Sequence, residues 1–476
     1  MGIYYPDCRI NLSGVFDGFG GVDEPTVITN ILPYSANVHC NSYKEADTWE
    51  ITFDAKRFPF SPEVFRSVAV EIYAFNKQSQ TSPLQWSDTR NLLVTGLVDR
   101  ASITEDKDGG KITMSGRDYT SLMIDRQWDP TESGKGGRVP DGELDEVIQQ
   151  LVDEATNSKL TGRTLTVRMF DVETLDNNPV QVSKVDPGVT HKSVTIKKTT
   201  HHRTRKKRGI LVKADSTYWD VIYKLALSFG YIVFVKGFDV IVTKPHVLQS
   251  MAGANYRVAY GTNLSKLEVE RKMSKEAVPQ IRVRSYDPKS KKVIEGVFPT
   301  EKDLTAQKEG KDKKGKGGGF LTGVGTKREE YKVYTIPDVK DEKTLTEIAR
   351  STYYTLARGE GIVRCATPHL RDTQNQDLLQ MRAGDSIEIK WDAFKAEVMG
   401  DKNISATQKI NTLMALGYDF TVASLVANQY SKLDYFRTPF YVKEVNYTWD
   451  KDKGMQVDIE AMNFINPESP RFQIRS

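Results

Sequence analysis

A strand-and-hairpin unit that occurs twice, about three hundred residues apart, sets the tightest limit on how this chain folds. The first copy contains Thr48–Phe53, Val68–Ile72 and Leu93–Thr104, a charged turn at Glu105–Gly110, and a return through Lys111–Tyr119. The second contains Gly361–Cys365, Ser386–Trp391 and Phe440–Trp449, a turn at Asp450–Gly454, and a return through Met455–Ala461. The strands alternate. Trp49, Ile51 and Phe53 interleave with Thr48, Glu50 and Thr52, and Val457, Ile459 and Ala461 with Gln456, Asp458 and Glu460. A period of two describes a sheet with one buried face and one wet face. Two half-exposed sheets without a catalytic constellation describe a chain built to stack against copies of itself.

The 476 residues leave room for roughly three or four domains of ordinary size. An apolar content of 38% and a charged content of 27% are those of a soluble globular protein. No apolar run reaches the roughly 18 residues of a membrane span. The opening Met1–Asp7 lacks the regions of a signal peptide, and Asp7 spoils a myristoylation match. Cys8, Cys40 and Cys365 are odd in number and far apart, which argues against a disulfide framework or a zinc site and for synthesis in a reducing cytoplasm. A net charge of +4 is small for this length, so any nucleic-acid role must rest on a local patch.

Along the chain, the first unit closes near Asp125 and a glycine-rich connector follows at Ser133–Arg138. Apolar spacing predicts a helix from about Asp141 to Ala155, with Asp141 as its N-cap. A second helix is predicted from about Thr217 to Phe229, capped by Asp215 or Ser216, and then a hairpin over Tyr231–Val242. Helix and hairpin together predict a compact α+β middle domain. Further strands are predicted at Leu264–Glu270, Gln280–Tyr286 and Lys291–Phe298, and a helix at Lys343–Leu356. The stretch Lys308–Gly319 has no apolar residue and is expected to be a mobile loop. The predicted domains are 1–125 (first β unit), 126–250 (α+β), 251–340 (strands joining the second unit or forming a separate lobe) and 341–476 (second β unit). An insertion at about 393–437 carries apolar helical segments such as Ile404–Leu416.

Motifs for chemistry are thin. Asp106-Lys-Asp108-Gly-Gly lacks the remaining oxygen ligands of a calcium loop and reads as a hairpin turn. Lys197–Arg208 holds seven Lys or Arg in twelve residues. Arg203, Arg205, Lys206, Lys207 and Arg208 are candidates for contact with a polyanion. No aromatic residue is interleaved to stack on bases, which favours a solvated loop or ribbon. His191, His201 and His202 lack a nearby carboxylate or thiolate, so no metal is predicted. Gly317–Lys327 lacks the Gly-Lys-Ser/Thr order of a phosphate loop. No catalytic residue or cofactor site is assigned. A paired-carboxylate hydrolase stays open as an alternative, because acidic residues are plentiful.

Several segments together resemble the baseplate hub family of contractile-tailed phages and related injection machines, the late-control-protein-D group. They are Phe58–Ser67, Val94–Val98, Gly116–Tyr119, Ser216–Ala226, Tyr260–Leu264, Val283–Pro288, Tyr441–Val445 and Ala461–Ile465, in that order over most of the chain. The resemblance implies a β-rich α+β fold with two tail-tube-like β-barrel domains and a smaller α+β domain between them. It also implies a homotrimer presenting six similar barrels between a sixfold tail tube and a threefold spike. Other baseplate proteins would sit at the periphery, and DNA would pass through the channel without specific binding. The expected location is the virion tail baseplate, after synthesis in a bacterial host. A cell-wall hydrolase carried on the tail and a DNA-binding tail protein are the competing readings.

Overall fold

A computed structural model of the chain describes residues 6–16, 26–58, 63, 65–76, 87–107, 109–128, 143–156, 165–170, 216–229, 231–243, 255–260, 262–271, 280–287, 292–299, 331–335, 342–357, 361–368, 370–390, 405–415, 417–430 and 440–463. The basic stretch Lys197–Arg208, the loop Lys308–Gly319 and the proposed cap Asp141 lie outside the described residues.

The alternating segments form strands and pair locally. In the first unit, β1 (Pro6–Phe16), β2 (Thr26–Ile31), β3 (Ser35–Asn41), β4 (Thr48–Asp54), β5 (Phe65–Asn76), β6 (Leu92–Asp106) and β7 (Gly109–Asp118) share one sheet. The turn between β6 and β7 is a tight hairpin, with Asp106 opposite Gly109, as the Asp-Gly reading predicts. Gly109, which opens β7, has a φ of 115°, a conformation that favours glycine.

Six more strands enter the same sheet: β11 (Asn255–Ala259), β12 (Lys266–Arg271), β16 (Gly361–Thr367), β17 (Ser386–Lys390), β18 (Phe440–Asp450) and β19 (Gly454–Asn463). The sheet has 13 strands, and all its pairings are antiparallel except β11 with β17. Its two halves repeat the same order. The first runs β3-β4-β7-β6-β5-β1, and the second runs β12-β16-β19-β18-β17-β11. The repeat extends to an irregularity. Asp99 drops out of register between Val98 and Arg100 on β6, and Lys443 does so between Val442 and Glu444 on β18. When the hairpin ends Asp106 and Asp450 are aligned, the two bulges coincide.

Two separate closed barrels are not what this pairing describes. The C-terminal part of β18 pairs with β3 of the first unit, so both units are arcs of one open path. Their inward faces merge into a single core holding Ile10, Ile51 and Met114 together with Val363, Val445 and Ile459.

Between these halves in the chain lies a three-stranded sheet, β8 (Thr166–Phe170), β9 (Ile232–Lys236) and β10 (Asp239–Thr243). Helices α1 (Thr120–Asp125), α2 (Leu144–Thr156) and α3 (Tyr218–Ser228) pack with it around Met123, Ile148, Leu151, Trp219 and Ile222. The cap of α3 differs from expectation. Thr217 is the N-cap, with extended backbone, and its Oγ1 accepts from the Asp220 amide at 3.1 Å. A second three-stranded sheet, β13 (Gln280–Asp287), β14 (Lys292–Phe298) and β15 (Tyr331–Thr335), packs Ile281 and Val283 on Leu345, Ile348 and Ala349 of α4 (Glu342–Ala357). In the insertion, α5 (Ala406–Ala415) and α6 (Phe420–Tyr430) pack on each other through Leu413, Ala423 and Ala427.

Candidate assembly surface

The intramolecular seam between the two units is the feature closest to a functional surface. Seven pairs from Glu444↔Asn41 to Asp450↔Ser35 join β18 to β3 antiparallel. At its centre Tyr447 faces Val38, and both side chains are buried.

The wet face across this seam carries a charged ribbon. Arg364 on β16 bridges Glu268 at 3.2 Å, Glu270 at 2.8 Å and Glu460 at 2.9 Å. Lys443, the bulge residue, holds Glu460 at 2.7 Å and also contacts Glu444. Tyr43 donates its hydroxyl to Glu444 at 2.7 Å. Partial burial works against ionisation of Glu460, but hydrogen bonds from Lys443 and Arg364 outweigh it and hold the carboxyl below its ordinary range. Four carboxylates therefore surround two cations, and the ribbon is acidic on balance.

The β3–β4 loop ties the seam to the helical layer. The Ser42 amide donates to the Lys443 carbonyl at 3.1 Å. Lys44 meets Asp220 of α3 at 2.6 Å, and the indole N–H of Trp219 donates to the Lys44 carbonyl at 2.6 Å. Beneath this loop lie two buried carboxyls. Asp47 accepts from the Asn41 amide at 2.7 Å, and Asp118 accepts from the Thr120 hydroxyl at 2.8 Å and the Thr120 amide at 3.2 Å. Loss of water pushes the Asp118 pKa up to about 7, against the hydrogen bonds from Thr120. Burial and then the charge of Asp118 raise that of Asp47. Both acids are sealed in the protein, with oxygens taken up by these donors. They form a structural post and offer no group to a substrate.

Arg382 locks the other side of the junction. Its guanidinium donates to the carbonyls of Leu379 at 2.6 Å, Met381 at 2.7 Å and Leu92 at 3.1 Å. Leu92 belongs to β6 of the first unit, so one side chain staples the two halves together.

None of Arg203, Arg205, Lys206, Lys207 or Arg208, proposed from the sequence for polyanion contact, falls within the described residues, nor do His191, His201 and His202. Among the described residues no group of three or more His, Cys, Asp or Glu is placed to hold a metal, and no helix is long and apolar enough to cross a membrane. The alternation of Arg364, Glu444 and Glu460 with apolar neighbours marks them in the sequence as outward-facing. Nothing there marks Arg382 or the Asp47–Asp118 pair.

No family model matches the chain, and no curated protein sequence does. Solved structures do. The tail protein from Neisseria meningitidis MC58 is similar with a TM-score of 0.51 at 9% identity, over 97% of this chain and 97% of that one. The 43 kDa tail protein of prophage MuSo2 from Shewanella oneidensis is similar with a TM-score of 0.50 at 10% identity, over 96% of this chain and 98% of that one. The chain has the fold of these tail proteins along almost its whole length.

Proposed function

We propose that this chain is a structural, non-enzymatic component of a phage-type tail, a hub joining a sixfold tube to a threefold spike. Three copies would present six similar sheet units in a ring around a channel for DNA. The four-part division at 1–125, 126–250, 251–340 and 341–476 belongs to this reading. One observation carries it: the same strand order occurs twice and the two occurrences are joined edge to edge by β3 and β18. A chain that already holds two quasi-equivalent units side by side needs only threefold closure to make a six-unit ring. The shared fold with two tail proteins supports the setting, and the acidic ribbon suits a channel wall that must not grip phosphates.

The test is the native mass of the purified chain followed by imaging of the particle. A threefold ring with six similar lobes is expected, and a chain that stays monomeric at high concentration overturns the reading. The rivals give other signals. A tail-borne hydrolase would clear cell-wall substrate. A DNA-binding protein using Lys197–Arg208 would show strong, salt-dependent affinity.

A further inference from the structure

β18 divides its outer edge between two partners, whereas its counterpart β6 has only one. Near its start β18 pairs with β17, at Ile387↔Phe440 and Ser386↔Tyr441, and from Glu444 onward it pairs with β3. β6 pairs with β5 in the same way, at Val70↔Gly96 and Ala69↔Leu97. Beyond the bulge at Asp99, no strand among the described residues covers that edge of β6. The counterpart of β3 is β12, which is bonded to β16 on one side and to no described strand on the other.

We propose that the free part of β6 in one copy pairs antiparallel with β12 of the next copy, repeating between chains the β18–β3 seam made within one chain. The inference rests on the ring reading above and names the contact that closes the ring.

The register follows without adjustment. Tyr447 faces Val38 in the seam. Tyr447 corresponds to Ile103 when Asp450 is aligned with Asp106, because β18 and β6 then share their bulge position. Val38 corresponds to Val269, since Val38 lies opposite Trp49 on β4 and Val269 lies opposite Val363, the residue equivalent to Trp49 on β16. Transfer of the seam therefore sets Ile103 against Val269. Both are large apolar residues left in water, Ile103 at 52% and Val269 at 38% exposure. Their cross-strand partners Ile112 and Val363 are buried, so both point to the core side. Two exposed apolar side chains meet in a register fixed by other residues. Pairing would also cover free strand edges that otherwise invite uncontrolled association. A head-to-tail contact of this kind closes into a ring.

The experiment uses the full chain with Ile103→Cys and Val269→Cys together. All three native cysteines are buried, so the new thiols are the accessible ones. Mild oxidation should give disulfide-linked species up to three chains on a denaturing gel, since directly opposed Cβ atoms lie about 4.5–5.5 Å apart. Ile103→Cys with Glu268→Cys, one residue out of register and on the opposite face, should not link. Ile103→Asp alone should weaken assembly by roughly tenfold or more, as an unpaired charge in an interface does. A wild-type trimer without the 103–269 link, and with assembly unchanged by Ile103→Asp, overturns this pairing and leaves the ring reading standing. A link within one chain overturns it too. A wild-type chain that is monomeric throughout removes both.

Discussion

Gly116 sits on β7 opposite Val98 and beside Trp49, where a Cβ would come within 1.9 Å of the Leu97 carbonyl oxygen and 2.6 Å of the indole. The equivalent pair in the second unit is Ala461 opposite Val363, so a smaller residue on one strand is matched by a larger one on the next in each copy. Because a main-chain carbonyl cannot step aside, Gly116→Ala should cost about 1–3 kcal/mol, read as a lower denaturant midpoint at unchanged slope. Adding Trp49→Val should not restore it, since the clash with Leu97 remains. The acids below the β3–β4 loop give a pH signature. Asp118 has its folded pKa raised to about 7, above the roughly 3.9 of an unfolded aspartate. The folded state therefore binds more protons than the unfolded one between these values, and this group lowers stability as pH rises through that window. Its penalty is fully present above pH 7 and relieved toward pH 4. Asp118→Asn, which keeps an acceptor for the Thr120 amide, should flatten the fall in stability between pH 5 and pH 8. If Asp118→Asn leaves the fall in stability between pH 5 and pH 8 unchanged, Asp118 is ionised across that window in the folded state as it is in the unfolded one, and its pKa is not raised.

Most strands and helices are legible in the sequence, and the reasons are local. Period-two alternation locates β4, β6, β7, β18 and β19, and apolar spacing locates α2, α3 and α4, because each such element is shaped by its own side chains. The α3 boundary shows the limit: Asp215, Ser216 and Thr217 are all good cap residues in sequence, and Thr217, the cap, is the one bridged to the distant Gln127. The β3–β18 seam is not legible, since it joins residues some four hundred positions apart and every strand edge looks alike in sequence. Arg382 is hidden for a similar reason. Its partners are carbonyls, which every residue carries. That anchor yields a prediction at this scale. Arg382→Ala strips donors from the carbonyls of Leu379, Met381 and Leu92, and hydrogen bonds to a charged donor contribute roughly 1.5–3 kcal/mol. A loss of about 3 kcal/mol is expected, with Arg382→Lys recovering only part because an ammonium lacks the planar fork. If lysine restores full stability, charge and not geometry holds the junction.

At the scale of the molecule, the wet face of the sheet and its charges bear on passage through a channel. Three of the cations on this face are already engaged: Arg117 with Asp99 and Asp125, Arg364 with three glutamates, and Lys443 with two. A guanidinium saturated by carboxylates has no donor to spare for a phosphate, and the carboxylates in excess repel one. If this face lines the channel, DNA should pass without being held. Reversing the balance gives the test. Glu50 and Glu268 both project outward, one in each unit, so Glu50→Lys with Glu268→Lys would place six lysines around the proposed three-copy ring. Arg364 keeps Glu270 and Glu460, and the fold should survive. The wild-type ring should show no measurable retention of duplex DNA near physiological salt. The lysine variant should bind, and its affinity should fall steeply with salt, with a logarithmic slope of about −0.9 for each phosphate contacted. Retention of DNA by the wild-type ring with a comparable slope would show that a basic surface, and not this acidic one, faces the channel.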